Sequence, residues 1–237
     1  MHDGRYASCY VNVGHSLWNT NASSVQASSA TNESGAAGGS DAKGATTMHE
    51  NRVFHFPGKA RETRPAQGKG SVEAFHLAPH GWVPNNARLP VIVYRRALAP
   101  GAQDLARAFS ERFEANGWPV RRFDGLFDYH HYHATAHEVL GVFAGTAELI
   151  LGGPGGRVLR LRAGDALLLP AGTGHCLLSL AGGFRVAGGY PRGQQWDIRR
   201  GAPTPAELRI MQALPFPPTD PVDGEHGPLV EHWLASA

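Results

Sequence analysis

His131 and His133 are separated by one residue, so on a β-strand both imidazoles point to one face, shared by Tyr129, while His130 and Tyr132 point to the other. Glu138 follows His133 by five positions, far enough for a bend to return its carboxylate to the pair. His175 arrives about forty residues later, from a separate stretch. Two imidazoles, a third from elsewhere and one carboxylate suit one divalent transition metal: Fe, Mn, Ni, Co or Zn. Four protein ligands leave up to two positions free on an octahedral ion, room for a bidentate substrate or for substrate and dioxygen. The metal would serve as Lewis acid or oxygen activator, and Tyr129 is the candidate catalytic residue, as proton or hydrogen-bond donor. An aromatic packed in the core with its hydroxyl satisfied is the competing reading of Tyr129. A His pair on a strand, taken alone, is more often a hydrogen-bonded feature than a ligand pair.

The elements that must position these groups read as short strands. Val72–Leu77 alternates like a half-buried strand, and Leu89–Tyr94 is apolar and rich in β-branched residues. Between Gln103 and Asn116 the period changes: Leu105, Ala108, Phe109 and Phe113 fall on one helix face, Asp104 suits its start, and Gly117 and Pro119 end it. Strands are expected again over Glu138–Val142, Ala147–Leu151, Arg157–Arg162, Ala166–Leu169, His175–Leu180 and Phe184–Ala187, parted by Gly and Pro turns. Gly152–Gly156 reads as a hairpin loop; it lacks the helix and Lys-Ser/Thr of a phosphate-binding loop. Gly164-Asp165 turns into a buried run, and Pro170–Gly174 turns again so that His175 enters its strand facing inwards. Beyond Gly201 the chain is Pro-rich, with a helical piece over Pro205–Gln212.

Composition narrows the function classes. Hydrophobic residues at 42% and charged ones at 18% allow a globular core, while 30 Gly and 17 Pro favour many turns. A formal net charge of +2 offers no strong field to nucleic acid. Arg61, Arg64 and Lys69 read as solvated linker. No run of 18 apolar residues is present and no basic-then-apolar leader opens the chain, so no membrane partner and a cytoplasmic location are expected. Cys9 and Cys176 are too few for a disulfide framework, and Cys176, next to His175, is expected to be a buried thiol facing away from the cavity. From Asn19 to Thr47 the chain is Ser, Ala, Gly, Thr and Asn, which cannot bury enough surface to offset its ordering entropy. The expected organisation is a low-complexity arm over 1–50, with Met48 an alternative start, a linker over 51–70, and one domain over 71–237.

Two spacings make the ligand set specific. Gly125, five residues, His131-Tyr132-His133, four residues, Glu138, six residues and Gly145 match the first cupin motif. Gly164, five residues, Pro170-Ala171-Gly172, two residues and His175 match the second, with Ser179 where its final Asn would stand. The motif assigns Glu138 as ligand and leaves the adjacent His137 facing outwards or behind the ligands, since neighbouring strand residues cannot both face the metal. The chain further resembles the YjlB-like single-domain cupins. The resemblance lies in Phe127–His133, His137–Val142, Leu169–His175, Gly189-Tyr190-Pro191, Gly193-Gln194 and Trp196-Asp197. Val83–Asn86, Leu89–Ile92, Asp220-Pro221 and Gly227–Leu229 also fit it, so that it spans roughly 71–234.

The resemblance implies an all-β fold, a single-domain cupin jelly-roll barrel with one or two peripheral helices and a metal on His131, His133, Glu138 and His175. A homodimer paired through an edge strand is expected. Tyr190, Gln194 and Asp197 are candidates for the cavity mouth. Fold alone does not fix function. Three readings stand: a metal-dependent enzyme with dioxygenase-like or isomerase-like chemistry, a non-catalytic module that binds or senses a small ligand, and a storage protein with a vestigial site. The complete ligand set favours the first.

Overall fold

The computed structural model describes residues 70–233. The expected arm, the Met48 start and all but the last residue of the linker lie outside them. Among the described residues there are seven strands: β1 (Ser71–Phe75), β2 (Val91–Arg95), β3 (Val120–Asp124), β4 (Glu138–Leu151), β5 (Arg157–Arg162), β6 (Ala166–Leu169) and β7 (His175–Gly189). Three helices are present among the described residues: α1 (Leu105–Ala115) between β2 and β3, then α2 (Pro205–Ala213) and α3 (Pro228–Trp233) after β7. No helix among the described residues is long and apolar enough to cross a membrane.

All pairings are antiparallel, in the order β1-β2-β6-β4-β7-β3, with β5 also on β4. The two long strands carry the architecture. The first part of β4 lies between β6 and the end of β7, whereas its second part lies between β5 and the start of β7. Period-two alternation then sorts the side chains. Val91, Val93, Leu140, Val142, Leu149, Leu151, Leu159, Leu161, Leu167 and Val186 fill the interior. Ile92, Val139, Leu168 and Ala187 face outwards onto Phe109 and Phe113 of α1 and Leu229 and Trp233 of α3. This is the all-β jelly-roll barrel the motifs imply, with its helices on the outside.

Several strands are longer than expected. Glu138–Val142 and Ala147–Leu151 are one strand, as are His175–Leu180 and Phe184–Ala187. The joining segments bulge where Gly145, Gly182 and Gly183 take positive φ, and the register shifts there without losing the pairing. β3 was not expected. A bulge between Val120 and Arg122 breaks its alternation, so its sequence has no clean period of two. α3 is too short to show a period, and only Leu229 and Trp233 mark its buried side. α1 is as read, capped by the Asp104 carboxylate accepting from the Arg107 amide at 2.9 Å.

Cys176 shares an outer-face cluster with Ile150, away from the interior as expected. It is disulfide-bonded, however, where the sequence suggested a thiol.

Gly145 sits at the bend of β4 with φ 65°, and a Cβ there would lie 2.4 Å from the Ala181 carbonyl oxygen. Gly145→Ala is therefore expected to lower the unfolding free energy by about 2 kcal/mol or more in urea titration. A loss below about 0.5 kcal/mol would contradict the role given to this bend.

Candidate metal centre

The site is assembled where three stretches of chain meet. His175 opens β7 after the Pro170–Gly174 turn. Gly172 (φ 90°) passes so close to Asn85 that a Cβ would come within 2.9 Å of the Asn85 carbonyl oxygen. His131 and His133 are not in a continuous strand, as the sequence suggested. Two isolated antiparallel bridges hold them, His131 to His175 and Tyr132 to Arg199. The alternation expected of a strand survives: His131 and His133 turn inwards, whereas Tyr132 packs against Ala134, Ala171 and Met211 in a cluster of its own.

One ring nitrogen from each of His131, His133 and His175 lies within 4.8 Å of the others, and all three residues are buried. Their protonation is fixed from behind. His131 Nδ1 faces the Tyr129 carbonyl at 3.1 Å, His175 Nδ1 faces the Thr173 carbonyl at 3.1 Å, and His133 Nδ1 faces the Asp197 carbonyl. A carbonyl oxygen only accepts, so each Nδ1 must carry the hydrogen. In the neutral rings the lone pairs therefore sit on Nε2. Glu138, the first residue of β4, brings Oε2 to 3.4 Å from Nε2 of both His133 and His175. Its Oε1 is engaged by the Tyr190 hydroxyl at 2.6 Å. Glu138 Oε2 and His175 Nε2 are buried and make no hydrogen bond. Lone pairs facing one another in a dry pocket repel unless a cation lies between them, so the donor set fits a metal ion.

The electrostatics say the same. Burial opposes ionisation of Glu138, but His133, His175 and the Tyr190 hydroxyl outweigh it and hold the carboxyl well below its usual range. Burial also disfavours a charged His133, yet Glu138 and the Asp197 carbonyl raise its proton affinity. In contrast, burial dominates at His131 and His175, whose pKa values fall to about 2 and about 4. Metal-free, the cluster keeps a proton beside Glu138 where a metal ion would otherwise balance the charge.

The neighbouring residues fall where alternation puts them, with one exception. His137 turns away from the site; its ring lies 4.7 Å from Trp233 and its Nδ1 accepts from the Ala171 amide at 2.9 Å. His130 was expected to hydrogen-bond at the surface but is buried, 5% exposed, with no partner for Nδ1. The chain around it is covered on both sides, which its polarity did not suggest. Tyr129 is half-buried beside the site, its ring 5.5 Å from that of His131. Of the three proposed mouth residues, Tyr190 holds Glu138 and Asp197 secures the histidine stretch. The Asp197 carboxylate accepts from the amides of Ala134 (2.7 Å) and Thr135 (3.2 Å). Gln194 instead accepts from the His137 amide at 2.9 Å, behind the site. Sequence reasoning missed Phe127, Trp196 and Arg122. Phe127 lies edge-on to His131 and Trp196 edge-on to His133, with ring centres 5.2 Å and 6.1 Å apart.

A relative decides the family. The uncharacterized protein YjlB of Bacillus subtilis (strain 168) is 35% identical over 164 residues, which is 68% of this chain and 96% of that protein. The chain belongs to the YjlB family. No family model matches it. Solved structures align more loosely with this YjlB-family cupin. The DMSP lyase DddQ from Ruegeria pomeroyi DSS-3 is 14% identical over 64% of this chain and 54% of that one, at a TM-score of 0.26. A cupin 2 domain-containing protein from Halorhodospira halophila is 14% identical over 69% of this chain and 86% of that one, at 0.23. Likeness this slight does not bear on the activity of the YjlB-family site.

The buried histidines also set an acid limit on stability. His131, His137 and His175 take up protons only near pH 2, 3 and 4 in the fold, mainly because they are buried, against an ordinary value of 6.5. Below pH 6.5 the unfolded chain therefore binds more protons, and stability is lost as pH falls. The urea midpoint of metal-free protein is expected to be level above about pH 7 and to drop steadily from pH 6.5 towards pH 4. A midpoint unchanged between pH 7 and pH 5 would contradict the burial of these rings.

Proposed function

We propose that this chain is a metal-dependent cupin enzyme acting on a small polar molecule, with oxygenase-type or isomerase-type chemistry. The observation that supports it most is the buried cluster of His131, His133 and His175, with Glu138 Oε2, which makes no hydrogen bond, 3.4 Å from Nε2 of both His133 and His175. In this reading His131, His133, Glu138 and His175 hold one divalent transition metal: Fe, Mn, Ni, Co or Zn. Such an ion supplies Lewis acidity or dioxygen activation at the positions that four protein ligands leave free.

The remaining roles fall to the chain itself. Tyr190 ties down Oε1 and so presents Oε2 alone to the centre, while the backbone carbonyls fix each imidazole. The burial of all four side chains excludes water and sharpens electrostatic contacts. Tyr129, whose ring lies 5.5 Å from that of His131, would donate a proton or hydrogen bond to a bound molecule. The proposal includes a homodimer, supported by Val158 (54% exposed) and Leu178 (40% exposed) on the outer face of β5 and β7.

Elemental analysis of native protein and variants tests the metal assignment. About one transition-metal ion per chain is expected, with at least a tenfold drop in affinity for His131→Ala and for His175→Ala and near-native content for His130→Ala. Equal loss from all three would contradict the assignment of faces. Oxygen uptake by the Fe(II)-loaded protein with thiols, diketones and catechols then tests the oxygenase reading. Tight binding of one compound, with no turnover of any kind, would favour the non-catalytic sensing alternative.

A further inference from the structure

Arg122 is a charged residue on the interior side of β3. The bulge between Val120 and Arg122 puts Arg122 opposite Gly188 of β7. Gly188 is also the partner of Leu140, which belongs to the interior cluster, so this position faces into the barrel. The missing side chain at Gly188 makes room for the arginine: a Cβ there would lie 2.9 Å from Arg122 Cγ and 3.2 Å from Nε. The guanidinium thus lies along the inner face beside the metal-ligand cluster. Its charge acts on both His175 and Tyr190, opposing protonation of the former and favouring ionisation of the latter.

This cation is left without an anion. Arg122 forms no salt bridge among the described residues. Among the described residues its acceptor is the Gly125 carbonyl, 2.7 Å from Nη2, and its Nε is buried without a partner there. A guanidinium drawn towards an interior needs compensation, ordinarily from a carboxylate or phosphate. Its plane is also held in place. Arg122 lies over Phe127 at 5.5 Å, Phe127 stacks on Tyr129 at 4.8 Å, and Arg200 covers the other side of Tyr129 at 4.0 Å. Two cations therefore bracket the aromatic rim of one chamber. A divalent ion beside one glutamate, taken with Arg122 alone, already gives that chamber a surplus of positive charge.

We infer that the small molecule acting at this centre is a carboxylic acid whose carboxylate docks on Arg122 while a neighbouring oxygen faces the histidine cluster. The inference rests on the metal-centre reading for the second contact only. A fixed guanidinium suits a planar two-oxygen anion better than a lysine would. Because Arg122 makes no hydrogen bond to the histidines among the described residues, it selects the ligand without holding the metal.

Calorimetric titration with glycolate, and with glycolamide as its uncharged counterpart, tests this on wild type, Arg122→Leu and Arg122→Lys. Each protein is measured metal-free and after loading with Co(II), whose visible spectrum reports the metal separately. Equal Co(II) spectra and melting temperatures are expected for all three. Glycolate should bind loaded wild type and weaken at least tenfold in Arg122→Leu, with Arg122→Lys between them and glycolamide unaffected by either change. Glycolate binding equally to wild type and Arg122→Leu, or to neither, would overturn the inference. If Co(II) failed to bind wild type the metal reading would fall, and glycolate binding to the metal-free protein that still required Arg122 would sustain the carboxylate subsite.

Discussion

Three imidazoles and a carboxylate are forced to share a dry centre, and their other atoms are already committed. Each Nδ1 donates to a backbone carbonyl, and the Tyr190 hydroxyl takes one oxygen of Glu138. What remains are lone pairs aimed at one another. Such an arrangement is costly by itself and favourable around a cation. The proton kept near His133 and Glu138 is the smallest cation that relieves it, and a metal ion is the one that uses every donor.

The barrel exists in the form that brings these donors together. β4 starts with Glu138 and β7 starts with His175, but the two strands run antiparallel, so the two residues begin far apart along the ladder. The bends at Gly145 and at Gly182-Gly183 curl both strands and return their ends to one chamber. The segment from Tyr190 to Arg199 closes it from outside, with Tyr190 on the glutamate, Asp197 on the histidine stretch and Arg199 bridged to Tyr132. Fold stability and ligand geometry thus draw on the same contacts, and acid should weaken both by protonating the same rings.

Much of this was legible in the chain itself. The His-x-His spacing placed two rings on one face, the motif spacing brought in Glu138 and His175, and the phenylalanines of α1 showed its buried side. Other features depend on contacts between distant residues. The continuity of β4 and β7 depends on glycines that resemble turn signals until the flanking segments are seen to pair across the same neighbours. Arg122 was hidden because a single bulged residue decides whether Arg121 or Arg122 faces inwards, and no local pattern records it. The same holds for His130, buried by segments far away in sequence.

The most direct test is X-ray absorption at the metal edge of the loaded protein. Three imidazole nitrogens at about 2.0–2.1 Å and one carboxylate oxygen at about 2.0–2.2 Å are expected, with one imidazole lost in His175→Ala. A shell lacking imidazole, or one unchanged in that variant, would show that the metal sits elsewhere and that the converging histidines are not its site.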